Sequence, residues 1–266
     1  MENNITSSLE GLNALVCGST SGIGRAAAIE LAELGANITL FGRSIEKLKA
    51  LIRQLSVSDL QKHNHLVGDF NHPDEIKHII SENIDEDAPL HILINNSGGP
   101  KSGPIIDADI SGFNTAFQRH LVCNHILAQA LVPGMKSAGY GRIINIISTS
   151  VKEPIKGLGV SNTIRGAVAS WAKTLSAEIA EFGITVNNIL PGFTDTERLS
   201  SLIKSKAAAS GNSEQEIADG MLAQVPAGRF GKPEETAKAI AFLSSPAAGY
   251  INGVSLAVDG GRLSCI

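Results

Sequence analysis

The chain has 266 residues, 43% of them apolar and 18% charged, with a formal net charge of −4. That mixture can fill a buried core, and it offers no basic field for a nucleic acid or an anionic membrane. The three cysteines, Cys17, Cys123 and Cys265, are too few and too scattered for a disulfide framework or a zinc site, so no metal is expected.

The opening MENNITSSLEG lacks a charged segment followed by an apolar one, so no signal peptide is read. No apolar run reaches the ~18 residues of a membrane span. These features point to a reduced, cytoplasmic protein.

Short apolar runs alternate with longer helical patterns. LNALVC (12–17) leads through a glycine turn into RAAAIELAELG, NITLFG (37–42) precedes SIEKLKALIRQL, and HLVGDF (65–70) precedes PDEIKHIISENI. LHILIN (90–95) and RIINII (142–147) are nearly unbroken apolar runs, as strands buried on both faces require. ITVNNIL (184–190) and GVSLAV (253–258) complete seven strands. The alternation predicts an α/β protein, a Rossmann-type doubly wound parallel sheet with helices on both faces, as one domain over residues 1–266. Residues 193–224 are polar and interrupted by SGNSEQE, which reads as one or two short helices with a flexible joint. Ligands of such sheets bind outside the carboxyl ends of the strands, so this insertion is expected to be a lid over the substrate site.

The turn CGSTSGIG (17–24) sits between the first strand and the first helix. Gly18, Gly22 and Gly24 let the backbone turn tightly and approach a phosphate without a Cβ in the way. Ser19, Thr20, Ser21 and Ile23 fill the intervening positions, and the helix start turns free N–H groups toward an anion. The competing reading is a purely structural turn. About 20 residues on, where an acid would bind the ribose of NAD, the chain has Gly42, Arg43 and Ser44. A guanidinium fork matches a phosphate, so NADP(H) is favoured over NAD(H). An arginine stacked on adenine would say nothing about the phosphate.

With these residues in view, the chain resembles the short-chain dehydrogenase/reductase family, nearest to its 3-oxoacyl-[acyl-carrier-protein] reductase-like members. NNSGG (95–99) matches the family's segment beneath the cofactor, assigning Asn95, Ser97 and Gly98 to it. Asp69 and Phe70 fall where members hold adenine. PGFTDT (191–196) matches the stretch beside the nicotinamide, bringing in Pro191, Gly192, Thr194 and Thr196. GRFGKPEE through YINGVSLAVDGG matches the C-terminal part. The resemblance implies strand order 3-2-1-4-5-6-7 and a homotetramer joined through the last strand and the two longest helices. It also implies hydride transfer between a carbonyl of 3-oxoacyl type and an alcohol, on a small-molecule or acyl-thioester substrate.

The family's catalytic groups are a serine, a tyrosine, a lysine four residues later, and an asparagine on an earlier helix. Ser148 matches the serine, but Ser161 stands at the tyrosine and Arg165 at the lysine, where it would also grip the nicotinamide ribose. The only tyrosines, Tyr140 and Tyr250, lie elsewhere in the sequence. His120 falls at the asparagine position, with Asn124 the alternative if the register differs. An aliphatic hydroxyl is a poor acid, and losing a general acid costs ~10²–10⁴ in rate.

His120, titrating near neutrality, is one candidate substitute donor; packing at a subunit contact is its other reading. An acidic group supplied by the substrate, or stabilisation of the developing alkoxide by Arg165, is a further route. Two functions stay open: a reductase with an altered proton path, and a non-catalytic nucleotide-binding homologue serving as sensor or inactive oligomer partner.

Overall fold

The computed structural model describes residues 6–58, 61–84 and 88–265. Its strands are β1 (Asn13–Cys17), β2 (Asn37–Gly42), β3 (Asn64–Val67), β4 (Ile92–Asn95), β5 (Gly141–Ile146), β6 (Ile184–Pro191) and β7 (Ser255–Val258). They form one sheet in the order β3-β2-β1-β4-β5-β6-β7, every neighbour pair parallel, as the resemblance implied.

Each strand divides its side chains between two cores because successive residues point to opposite faces. On one face Ala14, Val16, Ile92 and Ile94 pack with α1 (Gly22–Glu33), α2 (Ile45–Ile52) and α9 (Pro233–Ser244). On the other, Leu15, Cys17, Leu93 and Ile143 pack with α3 (Pro73–Asn83), α5 (Cys123–Ala138) and α6 (Gly159–Glu178). Covering both faces explains why the strands read as unbroken apolar runs.

Four strands, β1, β3, β4 and β7, are shorter than their apolar runs suggested. β3 stops at Val67 because Gly68 has no room for a side chain: a Cβ there would lie 2.7 Å from the Phe41 ring. The chain then turns, with the His72 N–H donating to the Asp69 carbonyl, into α3 with Pro73 at its first position. β7 begins at Ser255 because Gly253 takes φ +69°, outside the extended region.

The insertion folds as α7 (Glu197–Ser210) and α8 (Glu214–Leu222), packed through Leu199, Ile203 and Met221 against Phe193 and Phe230. SGNSEQE supplies both the stop and the start. Gly211 closes α7 at φ +76°, and Ser213 with Glu216 forms a reciprocal capping box on α8.

A ladder of side-chain amides crosses the carboxyl half of the sheet. Asn95 donates to Asn145 (2.9 Å), Asn145 to Asn188 (3.0 Å), and Asn188 to the Ser255 hydroxyl (3.1 Å). The four residues are also register partners along β4, β5, β6 and β7. All three asparagines are buried, so each bond replaces water that cannot enter. Asn145→Ala should therefore lower unfolding stability by ~2–6 kcal/mol, since it strands a donor on Asn95 and an acceptor on Asn188 at about 1–3 kcal/mol each. A urea midpoint unchanged from wild type would show that the ladder carries no weight.

Candidate active site

A cavity of about 440 Å³ opens at the carboxyl ends of the strands. Its floor is the turn from β1 into α1. Gly18 and Gly22 hold φ +57° and +51°, and a Cβ on Gly24 would collide with the Gly18 carbonyl. The Asn96 amide donates to the carbonyls of Cys17 (3.3 Å) and Gly18 (3.2 Å), clamping the turn from β4's end. Ser21, the cap residue of α1, makes no side-chain capping bond, and the first turn holds no acid. The helix therefore presents unsatisfied N–H groups and its positive end.

Toward β2 and β3 the cavity is lined by Gly42, Arg43, Asp69, Phe70 and Asn71. Arg43 is largely exposed and lies 3.8 Å from the Asp69 carboxylate. Burial pushes the Asp69 pKa up. Hydrogen bonds from the Asn71 backbone and side chain, with the charges of Arg43 and Arg119, outweigh that and hold it below the usual carboxylate range.

At the other end lie Ser148, Ser161, Arg165, Gly192 and Thr194. The Ser148 hydroxyl caps the next turn by accepting the Ser150 N–H at 3.1 Å. Arg165, one turn along α6 from Ser161, donates from Nη1 to the Ile146 carbonyl at 2.7 Å. Burial, then the neighbouring charge of Arg198, pulls its pKa down to about 10, so it remains a cation at neutral pH. Arg198, in the first turn of α7, donates to the Pro100 carbonyl at 2.9 Å.

Between α4 (Ile110–Phe117) and α5 the helix loosens into a π turn, Gln118–Val122, which carries His120 inward. His120 Nδ1 lies 2.7 Å from the Ser97 hydroxyl, while Nε2 is buried with no partner among the described residues.

The comparisons agree with this geometry. A family model described as "Enoyl-(Acyl carrier protein) reductase" matches residues 18–262. The chain belongs to the short-chain dehydrogenase/reductase family. It is 34% identical over 255 residues to the 3-oxoacyl-[acyl-carrier-protein] reductase FabG of Vibrio cholerae, covering 95% of this chain and 98% of that one. It is 30% identical to gluconate 5-dehydrogenase of Gluconobacter oxydans, covering 96% and 95%. L-sorbose reductase of Gluconobacter frateurii, solved with NADPH and L-sorbose, superposes with a TM-score of 0.90 at 29% identity over 98% of this chain and 99% of that one.

Most family positions named from the sequence meet in this cavity: Gly18, Thr20, Ser21, Gly22 and Ile23 at the floor, and Ser97, Gly98, Pro191 and Thr196 along its length. Several do not reach it. Asn95 is spent on the amide ladder, and Asn96, which the sequence reading passed over, lines the cavity instead. The strand ends at Asn95, so the next residue is free to turn under the glycine loop. Ser19 is buried, its hydroxyl donating to the Phe41 carbonyl, and Gly24 acts through packing.

His120 also differs from its expected roles. It is a buried interior residue, reaching the cavity only through Ser97. Burial, followed by the charges of Arg165 and Arg119, holds its pKa well below the ordinary 6.5. It is neutral at pH 7 and stores no proton to donate. Asn124 lies further on in α5 and does not line the cavity. The sequence reading also missed Arg119 and Arg198. Neither falls in a motif quoted from the sequence; Arg198 shares its face of α7 with Leu202, four residues on, and both line the cavity.

The ionisation of His120 has a measurable consequence. Below about pH 6.5 the unfolded chain takes up a proton that the folded chain refuses, so stability falls with pH, by at most about 1.4 kcal/mol per unit for this group. Between pH 7 and 5 the melting temperature of wild type should drop more steeply than that of His120→Asn. Parallel profiles would mean that His120 is charged in the folded protein.

Proposed function

We propose that the chain is an NADP(H)-dependent oxidoreductase interconverting a carbonyl and an alcohol, with a proton path that differs from its family's. The observation that carries this reading is the cradle. Two positive-φ glycines, a Gly18–Gly24 contact with no space for a Cβ, and the Asn96 clamp leave bare backbone at an uncapped helix N-terminus facing the cavity. That arrangement fits a pyrophosphate, and Arg43 beside β2 fits a ribose phosphate. Relatives solved with NADPH or NADP support the coenzyme. In this reading Asp69, Phe70 and Gly98 shape the adenine and nicotinamide sides, α7 and α8 form a lid, and Arg165 holds ribose hydroxyls.

The bound dinucleotide supplies the hydride. Ser148 and Ser161 offer hydroxyls to the substrate oxygen. Ser148 Oγ already accepts the Ser150 N–H, which leaves its own proton to donate. Arg165, fixed by the Ile146 carbonyl, places a permanent positive charge where negative charge develops. In this reading the proton comes from water in the cavity that both serine hydroxyls line, because the buried Nε2 of His120 has no partner among the described residues to resupply it. Relatives named for 3-oxoacyl thioesters and gluconate support carbonyl–alcohol chemistry of either substrate type. A tetramer formed through β7 and the long helices is supported by the exposed Phe242, Tyr250, Val254 and Leu256.

A second reading, the non-catalytic nucleotide-binding homologue, is favoured by one observation: the sole histidine at the site is held neutral, and no tyrosine lines the cavity.

Fluorescence titration should show NADPH binding in preference to NADH, and NADPH should be consumed slowly with a short 3-oxoacyl thioester. Binding without turnover would support the non-catalytic reading. Arg43→Glu should shift the coenzyme preference toward NADH by at least ~tenfold, since like charges in contact cost several kcal/mol. Ser161→Tyr with Arg165→Lys should raise kcat by at least ~10², the low end of a general-acid contribution. No gain in a folded, NADPH-binding double variant would overturn the placement of these two residues.

A further inference from the structure

The cavity carries more positive charge than the dinucleotide explains. Four arginines line it, Arg43, Arg119, Arg165 and Arg198, against two acids, Asp69 and Glu197, in a chain whose net charge is −4. Arg43 lies beside Asp69, at the β2 end. Arg119 is committed to the Gly98 carbonyl and the Asn71 side-chain oxygen. Arg165 and Arg198 remain. Each has one N–H tied to a backbone carbonyl, Ile146 and Pro100, and neither has a carboxylate within 4.0 Å among the described residues. Glu197, the acid next in sequence to Arg198, is exposed and pairs with neither.

Both guanidiniums line the same cavity, and after burial the charge of Arg198 also lowers the pKa of Arg165 and of His120. They come from different helices, Arg165 from α6 and Arg198 from the first turn of α7, where the exposed arginine's guanidinium lies over Gly99. The pyrophosphate has the helix start, and the ribose that Arg165 would grip is neutral. Two like charges facing a common space are unfavourable unless an anion lies between them.

We propose that the substrate carries a carboxylate close to its reacting carbonyl, and that Arg198, with Arg165, binds that carboxylate and sets specificity for small oxo acids. The assignment rests on the oxidoreductase reading above only for the reaction, not for the anion. A planar fork matches a carboxylate, and two half-committed guanidiniums suit its two oxygens. Leu202, on the same wall as Arg198, and Ile155 and Leu158 line the space nearby and give the remainder of the molecule an apolar surface. Because Arg198 rides on α7, the carboxylate would also draw the helix pair over the site. A neutral thioester or a neutral sugar gains none of this.

The test uses the full chain, with and without saturating NADP⁺, titrated calorimetrically with acetoacetate, its neutral analogue acetoacetamide, and 2-oxopropylphosphonate. Acetoacetate should bind at least ten times more tightly than the amide. Arg198→Met should reduce that ratio to threefold or less, Arg198→Lys should restore part of it, and the NADPH dissociation constant should stay within twofold. Equal affinity for acetoacetate and the amide would overturn the proposal. So would a phosphonate bound tightly where acetoacetate is not. An Arg198→Met variant with weakened NADPH binding and an intact preference would assign Arg198 to the coenzyme and overturn it as well. A chain that ignores NADPH yet prefers acetoacetate would remove the oxidoreductase reading and uphold the anion site.

Discussion

The turn between β1 and α1 is the constraint on which the site depends. Gly24 must lie against the Gly18 carbonyl for α1 to pack on the sheet, and that contact leaves the helix start bare at the carboxyl edge. Asn96 then ties the turn to the end of β4, so the floor of the cavity and its central wall are one hydrogen-bonded unit. The amide ladder behind it, Asn95 to Asn145 to Asn188 to Ser255, locks the register of β4 through β7 at the level where they support the cavity. Side chains at the ends of β5 and β6 are placed by that ladder, and Ser148 follows directly from it.

How much of this was legible in the sequence depended on whether the signal was periodic or singular. Seven apolar runs and the glycine spacing were enough for the sheet and for the nucleotide turn, because strands buried on both faces and phosphate loops each have a repeating or rigid pattern. The ends of β3 and β7 were not legible. They are set by Gly68 against the Phe41 ring and by the positive φ of Gly253, which are tertiary and dihedral facts. Asn95 and Asn96 could not be told apart by composition either. One residue of strand decides which amide faces a neighbouring strand and which turns under the loop.

The catalytic end was legible only as a departure. The sequence placed Ser161 and Arg165 at positions where the family has a phenol and an ammonium, but it gave no access to their surroundings. Burial and neighbouring guanidiniums decide that His120 is neutral, and no sequence pattern encodes that. The same environment acts on Arg165, at the position the family resemblance assigns to a lysine. A guanidinium keeps its charge after desolvation where an ammonium readily gives it up, so the substitution exchanges a group that can move protons for one that only holds charge.

That exchange gives the second arginine its meaning. A charged Arg165 beside an uncharged imidazole repels any further cation, yet α7 brings Arg198 to the same cavity with no carboxylate within 4.0 Å of it among the described residues. A fold tolerates such a pair at a ligand site, because the ligand can supply the missing charge on binding. In the proposed reading, a serine at the tyrosine position and the guanidinium pair describe one change. A site so proposed would give up donating a proton from a side chain while strengthening its hold on negative charge. Its selectivity would rest on what the substrate carries rather than on how readily the enzyme protonates it.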